Sequence, residues 1–174
     1  MNAFEAGTRK VVPAVLVYLK HGTRVLMIHR NAGNRVGDYH SGKWNGLGGK
    51  CEPAESFSET ASREIREEAG IDLPESVFKA LGFIHFPDFK AQKSEDWMVW
   101  IYTVRLSDEQ ATQVLRENPE GQLHWVEESQ LQGLNLWAGD RHFIPFVRDE
   151  KKFTGTIWYQ GPEVLRHSIL PWSS

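Results

Sequence analysis

The sequence carries a single cysteine, Cys51, in 174 residues, so an intramolecular disulfide is excluded and the chain reads as a protein of a reducing compartment, the cytoplasm by default. A lone thiol also admits a nucleophile. None of the seven histidines lies beside it, however, and Cys51 reads as a structural residue. Long apolar runs are missing too. The longest, Val11–Leu19, contains Pro13 and is too short to span a bilayer, which argues against a membrane protein. Arg9 and Lys10 before it give a faint likeness to a signal peptide, but no small-residue cleavage site follows. There is no basic excess either: the formal net charge is −3, and an electrostatic grip on long nucleic acid normally needs a basic stripe. Repeats, low-complexity tracts and a convincing linker are all absent, so residues 1–174 read as one domain.

What is present is ordinary for a globular chain, with 40% hydrophobic and 25% charged residues. Seven tryptophans are many for this length, and a surplus of aromatics suits both a core and a pocket that stacks a flat ligand. Val11–Leu19 and Arg24–His29 are β-branched-rich runs around a polar Lys20–Thr23 turn, the pattern of a hairpin. Residues 31–43 are polar and glycine-rich and read as a loop. From Ser56 to Ala69 the pattern is helical: Phe57, Ala61, Ile65 and Ala69 recur every four residues, and Gly70 supplies the stop. Strand-like runs follow at Val77–Phe86 and Trp97–Leu106, joined by a polar loop carrying Pro87. A short helix over Asp108–Glu117, a strand at Leu123–Val126, a helix over Arg141–Arg148 despite Pro145, and a closing hairpin of Phe153–Tyr159 with Glu163–Ile169 complete a mixed α/β domain in which strands outnumber helices.

The informative stretch is Gly49 to Ile71, GKCEPAESFSETASREIREEAGI. Glu64, Glu67 and Glu68 stand at i, i+3 and i+4 and fall on one helix face, beside the apolar stripe of Ala61, Ile65 and Ala69. Three carboxylates so close repel one another unless something positive sits between them. Hard oxygen ligands of this kind suit magnesium, or manganese, held partly through water and substrate phosphates. A solvated face of alternating glutamates and arginines, with Arg63 and Arg66 balancing the charge, is the plainer reading of EIREE alone.

The rest of the stretch overturns that plainer reading. It matches the Nudix box, G-x5-E-x7-R-E-U-x-E-E-x-G-U, at every specified position: Gly49, Glu55, Arg63, Glu64, Ile65, Glu67, Glu68, Gly70 and Ile71. The resemblance implies an α+β fold of the Nudix type, an α/β/α sandwich with a mixed sheet and a loop–helix–loop catalytic motif. It further implies a hydrolase of pyrophosphate linkages in which Glu64, Glu67 and Glu68 hold Mg2+ (Mn2+ as the alternative), assisted by the backbone at Gly49. Arg63 then orients Glu55 or a metal-binding glutamate, and Lys50 reaches a phosphate. The implied chemistry is substitution at phosphorus, with a carboxylate as general base.

Beyond the box, the chain resembles MutT-like enzymes that hydrolyse oxidised purine nucleoside triphosphates such as 8-oxo-dGTP, from about Val12 to Leu165. Three segments carry this: Gly42–Lys50 (GKWNGLGGK), Trp137-Ala138-Gly139-Asp140, and Lys151–Gly155 with Trp158–Gly161. By that resemblance Asn45 contacts the base, Trp137 stacks on it and Asp140 reads its edge. Tyr39, Phe86 and Trp97 line the pocket, and Glu120 stands near the metal. The vertebrate-type branch has two aspartates after the tryptophan, whereas here the first is Gly139, a glycine–aspartate pair similar to the streptococcal branch. Each of these has a bland counterpart: Trp137, Tyr39, Phe86 and Trp97 as core, Asn45 and Glu120 as turn residues, Asp140 as a helix N-cap. The expected substrate is a small nucleotide, converted to monophosphate and pyrophosphate in nucleotide-pool sanitation. Nucleotide sugars, dinucleoside polyphosphates, RNA 5′ ends, or a non-catalytic nucleotide-binding module are the alternatives.

Overall fold

The computed structural model describes residues 1–30 and 42–172. Tyr39 and most of the glycine-rich segment 31–43 lie outside the described residues. At the centre runs β1 (Lys10–His21), paired in parallel with β6 (Glu95–Arg105) along its whole length. Val17, Tyr18, Leu19 and Lys20 in β1 are all fully buried, the mark of a strand covered on both faces. The buried Lys20 ammonium is satisfied by the Glu128 carboxylate at 2.9 Å and the Arg148 carbonyl at 3.1 Å.

On the other side, β1 meets β2 (Arg24–Arg30) only at Lys20↔Val25 and His21↔Arg24. The two strands then part, and β4 (Leu47–Lys50) fills the opening against β1 with Ala14 opposite Lys50 and Val17 opposite Leu47. β3 (Trp44–Asn45) pairs with β2 just before it. Outward from this centre, β5 (Lys79–Lys90), β9 (Phe153–Gln160) and β10 (Glu163–Pro171) extend the sheet past β6. On the opposite flank, β8 (Gly121–Glu127) follows β2 and β7 (Glu117–Asn118) forms the edge. The sheet is mixed, with β1–β6 and β5–β9 parallel and the remaining pairs antiparallel.

Alternation along the strands sorts the core into two layers. Val15, Val17, Leu19, Leu26 and Ile28 face α1 (Phe57–Ala69), which seats Ala61, Ile65 and Ala69 on them. Ala14, Tyr18, Val25 and Met27 face α3 (Asp140–Asp149) through Phe143, Ile144 and Val147. This is the α/β/α sandwich. No helix among the described residues is long and apolar enough to cross a membrane.

Local chemistry sets the helix ends. Ser56 caps α1 by accepting from the Glu59 N–H at 3.1 Å, while the Glu59 carboxylate accepts from the Ser56 N–H at 2.7 Å. Gly70 closes the helix in the left-handed conformation, φ 73°. In α3, Pro145 cannot donate to the Arg141 carbonyl; that oxygen instead accepts from the Gln132 amide at 3.1 Å, so the proline is tolerated.

Two sequence expectations need correction. Pro87 does not stand in a loop, because β5 runs through it to Lys90. The pairing with β6 shifts between Phe86 and Lys90, and Asp88 takes φ 54°, so proline sits in a bulge where the ladder asks for no N–H. The short helix α2 (Asp108–Gln113) stops well before Glu117. Leu115 donates its N–H to the Ala69 carbonyl at 2.9 Å, which draws the chain onto the C-terminal end of α1 and frees Glu117 to join β7.

Candidate active site

The site is built where β4 passes beneath α1. Gly48 has φ 143°, and a Cβ there would stand 2.2 Å from the Val15 carbonyl oxygen, so only glycine allows this close approach. Its N–H donates to Glu68 at 2.7 Å. A Cβ on Gly49 would meet the Glu64 carboxylate at 2.4 Å. These bare backbones bring β4 directly against two glutamates of the helix.

Arg63 ties the loop before α1 to the helix itself. Its Nε and Nη2 donate to the two Glu55 oxygens at 2.7 and 3.0 Å, a bidentate pair. Its Nη1 donates to Glu64 at 2.7 Å and to Glu67 at 3.3 Å, and Nη2 also reaches the Lys50 carbonyl at 3.0 Å. The Arg63 hydrogen bonds, then the Glu52 N–H, hold the Glu55 carboxyl down at about 2. For Glu64, burial is the largest influence and raises its proton affinity against the opposing pull of Arg63. Glu68 is more buried still, and burial pushes it up to about 7 although the Gly48 N–H works the other way. Glu67 remains more than half exposed.

Glu120 stands on the turn between β7 and β8, where the Asn118 side chain accepts the Glu120 and Gly121 N–H groups at 2.8 and 3.2 Å. It forms an ion pair with Arg30, whose charge also acts on Glu68. The Asn118 amide donates to the Glu68 carbonyl at 3.0 Å, so the turn is docked beside the end of α1. Neither Arg30 nor the Gly48 N–H was visible as a site component in the sequence; the first adjoins a polar loop and the second is backbone.

Among the described residues, no three carboxylate, histidine or cysteine side chains converge into a ready-made metal cage. The donor set nevertheless fits a divalent cation. Glu64, Glu67 and Glu68 offer hard oxygens on one helix face, the Arg63 guanidinium already sits against two of them as a local positive charge, and the Gly49 backbone lies open against Glu64. A hard cation that keeps several waters needs no closed protein cage.

A second cluster lies on the α3 side. Asp140, expected as either an N-cap or a ligand, makes no capping bond: Gly139 occupies the cap position and Asp140 is the first residue of α3. Asp140 is 9% exposed, and its carboxyl accepts no hydrogen bond among the described residues; burial pushes it up to about 7 against the opposing charge of Lys43. Lys43 lies 5.3 Å from the Trp137 ring centre and is fixed by the Asn135 side chain and the Leu136 carbonyl. Phe86 and Trp97 join Phe89 and Tyr159 in an aromatic group, with Phe89 centred 5.1 Å from Phe86, 5.4 Å from Trp97 and 5.6 Å from Tyr159. Tyr159 in turn accepts the Gly139 N–H at 2.6 Å, which links the group to Asp140. On its other side the group reaches the box, because Lys50 Nζ lies 5.2 Å from the Trp97 ring centre. Asn45 is half-buried in β3, with its amide making no hydrogen bond among the described residues. Sequence reading missed Phe89, Lys43 and Tyr159, although Lys43 and Tyr159 stand inside segments it had singled out.

Residues 8–147 match the NUDIX domain. The chain belongs to the Nudix family. It is 26% identical over 155 residues to the oxidized purine nucleoside triphosphate hydrolase of Mus musculus, covering 88% of this chain and 91% of that one. To the zebrafish (Danio rerio) protein of the same name it is 27% identical over 158 residues, covering 91% and 92%. The fold is shared with a MutT protein from Bacillus halodurans at TM-score 0.75 and 24% identity, over 91% of this chain and 97% of that structure. The protein is therefore a Nudix hydrolase, and such hydrolases generally work with a divalent cation.

Within the Nudix box, Arg63→Lys tests the role of the fork. A lysine ammonium cannot bind Glu55 in two places and also reach Glu64 and the Lys50 carbonyl. The expected result is a roughly 10- to 100-fold loss of kcat with little change in KM, as for other groups that orient metal ligands. Steady-state kinetics at saturating cation checks it; a kcat within about threefold of wild type would remove Arg63 from the site.

Proposed function

We propose that the protein hydrolyses purine nucleoside triphosphates, oxidised ones such as 8-oxo-dGTP included, to monophosphate and pyrophosphate with Mg2+ as the cation. The observation that carries this reading is Lys50, whose Nζ lies 5.2 Å from the Trp97 ring centre and so joins the box to the aromatic group of Phe86, Phe89, Trp97 and Tyr159. The names of the mouse and zebrafish relatives support the same substrate class.

In this reading Glu64, Glu67 and Glu68 hold the cation with the Gly49 backbone, and Glu120 stands near them. When bound, Mg2+ neutralises phosphate charge and lowers the proton affinity of a water. Arg63 and Glu55 keep the glutamates in place, and Lys50 meets a phosphate oxygen. A carboxylate of the box takes the proton of the attacking water, the new P–O bond forms, and the bridging P–O bond breaks to release pyrophosphate. At the other end Trp137 stacks on the base, Phe86 and Trp97 wall it, and Asn45 and Asp140 read its edge. With its carboxyl near 7, Asp140 presents an O–H donor in one state and a pure acceptor in the other. Sanitation of the cytoplasmic nucleotide pool follows as the biological role, consistent with a lone half-buried cysteine.

The test is a panel of dGTP, 8-oxo-dGTP, 2-oxo-dATP, ADP-ribose, a nucleotide sugar and a diadenosine polyphosphate with Mg2+, scored by released phosphate and pyrophosphate. The highest kcat/KM is expected on an oxidised purine triphosphate. A preference for the sugar or the dinucleotide would leave the family intact and overturn the pocket reading.

A further inference from the structure

Gly139 and Tyr159 form a fitted pair at the pocket end of α3. The Tyr159 hydroxyl oxygen accepts the Gly139 N–H at 2.6 Å, and a Cβ on residue 139 would stand 2.4 Å from that same oxygen. A larger residue at 139 therefore excludes the phenol, and the phenol requires glycine. Phe86 and Phe89 flank the ring at 6.3 and 5.6 Å between ring centres. With the backbone N–H occupying its acceptor side, the hydroxyl keeps its own proton, which no described residue accepts. A second phenol stands nearby: Tyr18 Oη is wholly buried, has no hydrogen-bond partner among the described residues, and shares with Tyr159 the electrostatic influence of Asp140. Beside the aromatic group, Tyr159, Tyr18 and Asp140 thus hold more hydrogen-bonding capacity than the described residues consume, and such capacity belongs to a ligand or to ordered water.

We infer that Tyr159 is a specificity-determining residue whose hydroxyl, locked on Gly139, donates to the exocyclic carbonyl of a bound 6-oxopurine and disfavours the amino group of a 6-aminopurine. The inference rests on the purine triphosphate reading above. A fixed donor facing an amino group leaves two donors opposed and unpaired, the arrangement by which buried polar groups reject a near-isostere.

The experiment compares kcat/KM for dITP and dATP, which differ at this edge of the base, in wild type and Tyr159→Phe. Wild type is expected to favour dITP by roughly tenfold or more, with the ratio falling about tenfold in Tyr159→Phe. A merely structural phenol would lower both rates together and leave the ratio unchanged. Should Tyr159→Phe fold poorly, Tyr159→Leu, which also lacks the hydroxyl and leaves Gly139 unchanged, must show the same loss of discrimination. A ratio unchanged within twofold, in an enzyme that still hydrolyses dITP, overturns the role of Tyr159 alone. A wild-type enzyme that hydrolyses neither nucleotide overturns this inference together with the substrate reading.

Discussion

Glu67→Gln and Glu68→Gln are each expected to lower kcat by about 10³-fold, roughly 4 kcal/mol in the barrier, with the fold intact. The two substitutions remove one charge each from the face proposed to meet the cation, yet their surroundings differ. Glu67 is more than half exposed and touches only Arg63 at 3.3 Å, so its loss has little to act on besides the cation. Glu68 is partly buried with the Gly48 N–H as its hydrogen-bond donor, and a glutamine oxygen can still accept that bond. Without added cation, Glu68→Gln is therefore expected to melt no lower than wild type. Pyrophosphate release and thermal melts of both variants check the pair of expectations. Retention of activity within about threefold by either one would sink its assignment as a ligand.

Asp140→Asn is expected to change the pH dependence of stability. The folded carboxyl sits at about 7 against an ordinary 3.8, so between those values the folded state binds more protons than the unfolded state. Stability is then lost as pH rises through this window, by an amount approaching about 4 kcal/mol above pH 7. Asparagine does not ionise, so the variant escapes that loss. Its advantage over wild type should grow by about 2–3 kcal/mol between pH 5 and pH 8. Any packing cost of the amide cancels in that difference, as do other groups titrating alike in both proteins. Urea unfolding at the two pH values measures it, and an equal gap at both would show that the carboxyl is not held up by burial.

Local periodicity and caps made the box helix readable in advance. Ser56, the four-residue repeat of Phe57, Ala61, Ile65 and Ala69, and Gly70 are contiguous signals, and the structure uses each of them. The hairpin and the central strand were legible for the same reason. Pro87 misled, because a bulge that excuses a proline is a property of the partner strand, here Glu95 opposite Lys90 with three intervening residues unpaired. The end of α2 misled likewise, since the Leu115 contact with Ala69 bridges residues far apart in sequence.

The site divides along the same line. Glu55, Arg63, Glu64, Glu67 and Glu68 share one short segment, and a motif captures them together. The residues proposed for the base pocket are spread over β3, β5, β6, α3 and β9, and no spacing rule joins Tyr159 to Gly139 or Arg30 to Glu120. Phe89 escaped notice because it lies in the stretch misread as loop. Asp140 was seen as a cap or a ligand, but whether it caps α3 depended on the backbone angles of Gly139, which sequence does not carry.

The consecutive short strands β3 and β4, the first paired with β2 and the second with β1, also act as a ruler. Asn45 ends β3 and Lys50 ends β4. Gly48, pressed against the Val15 carbonyl, clamps the scale in place. In the proposed reading, the interval between Asn45 at the base and Lys50 at the phosphates is thereby a matter of residue count rather than of side-chain choice. Lineages can repaint the walls around Trp97 or Tyr159 and shift preference among bases while the cleavage point stays put. A single inserted residue between Asn45 and Lys50 would instead move the two halves out of step and turn the intervening side chains to opposite faces.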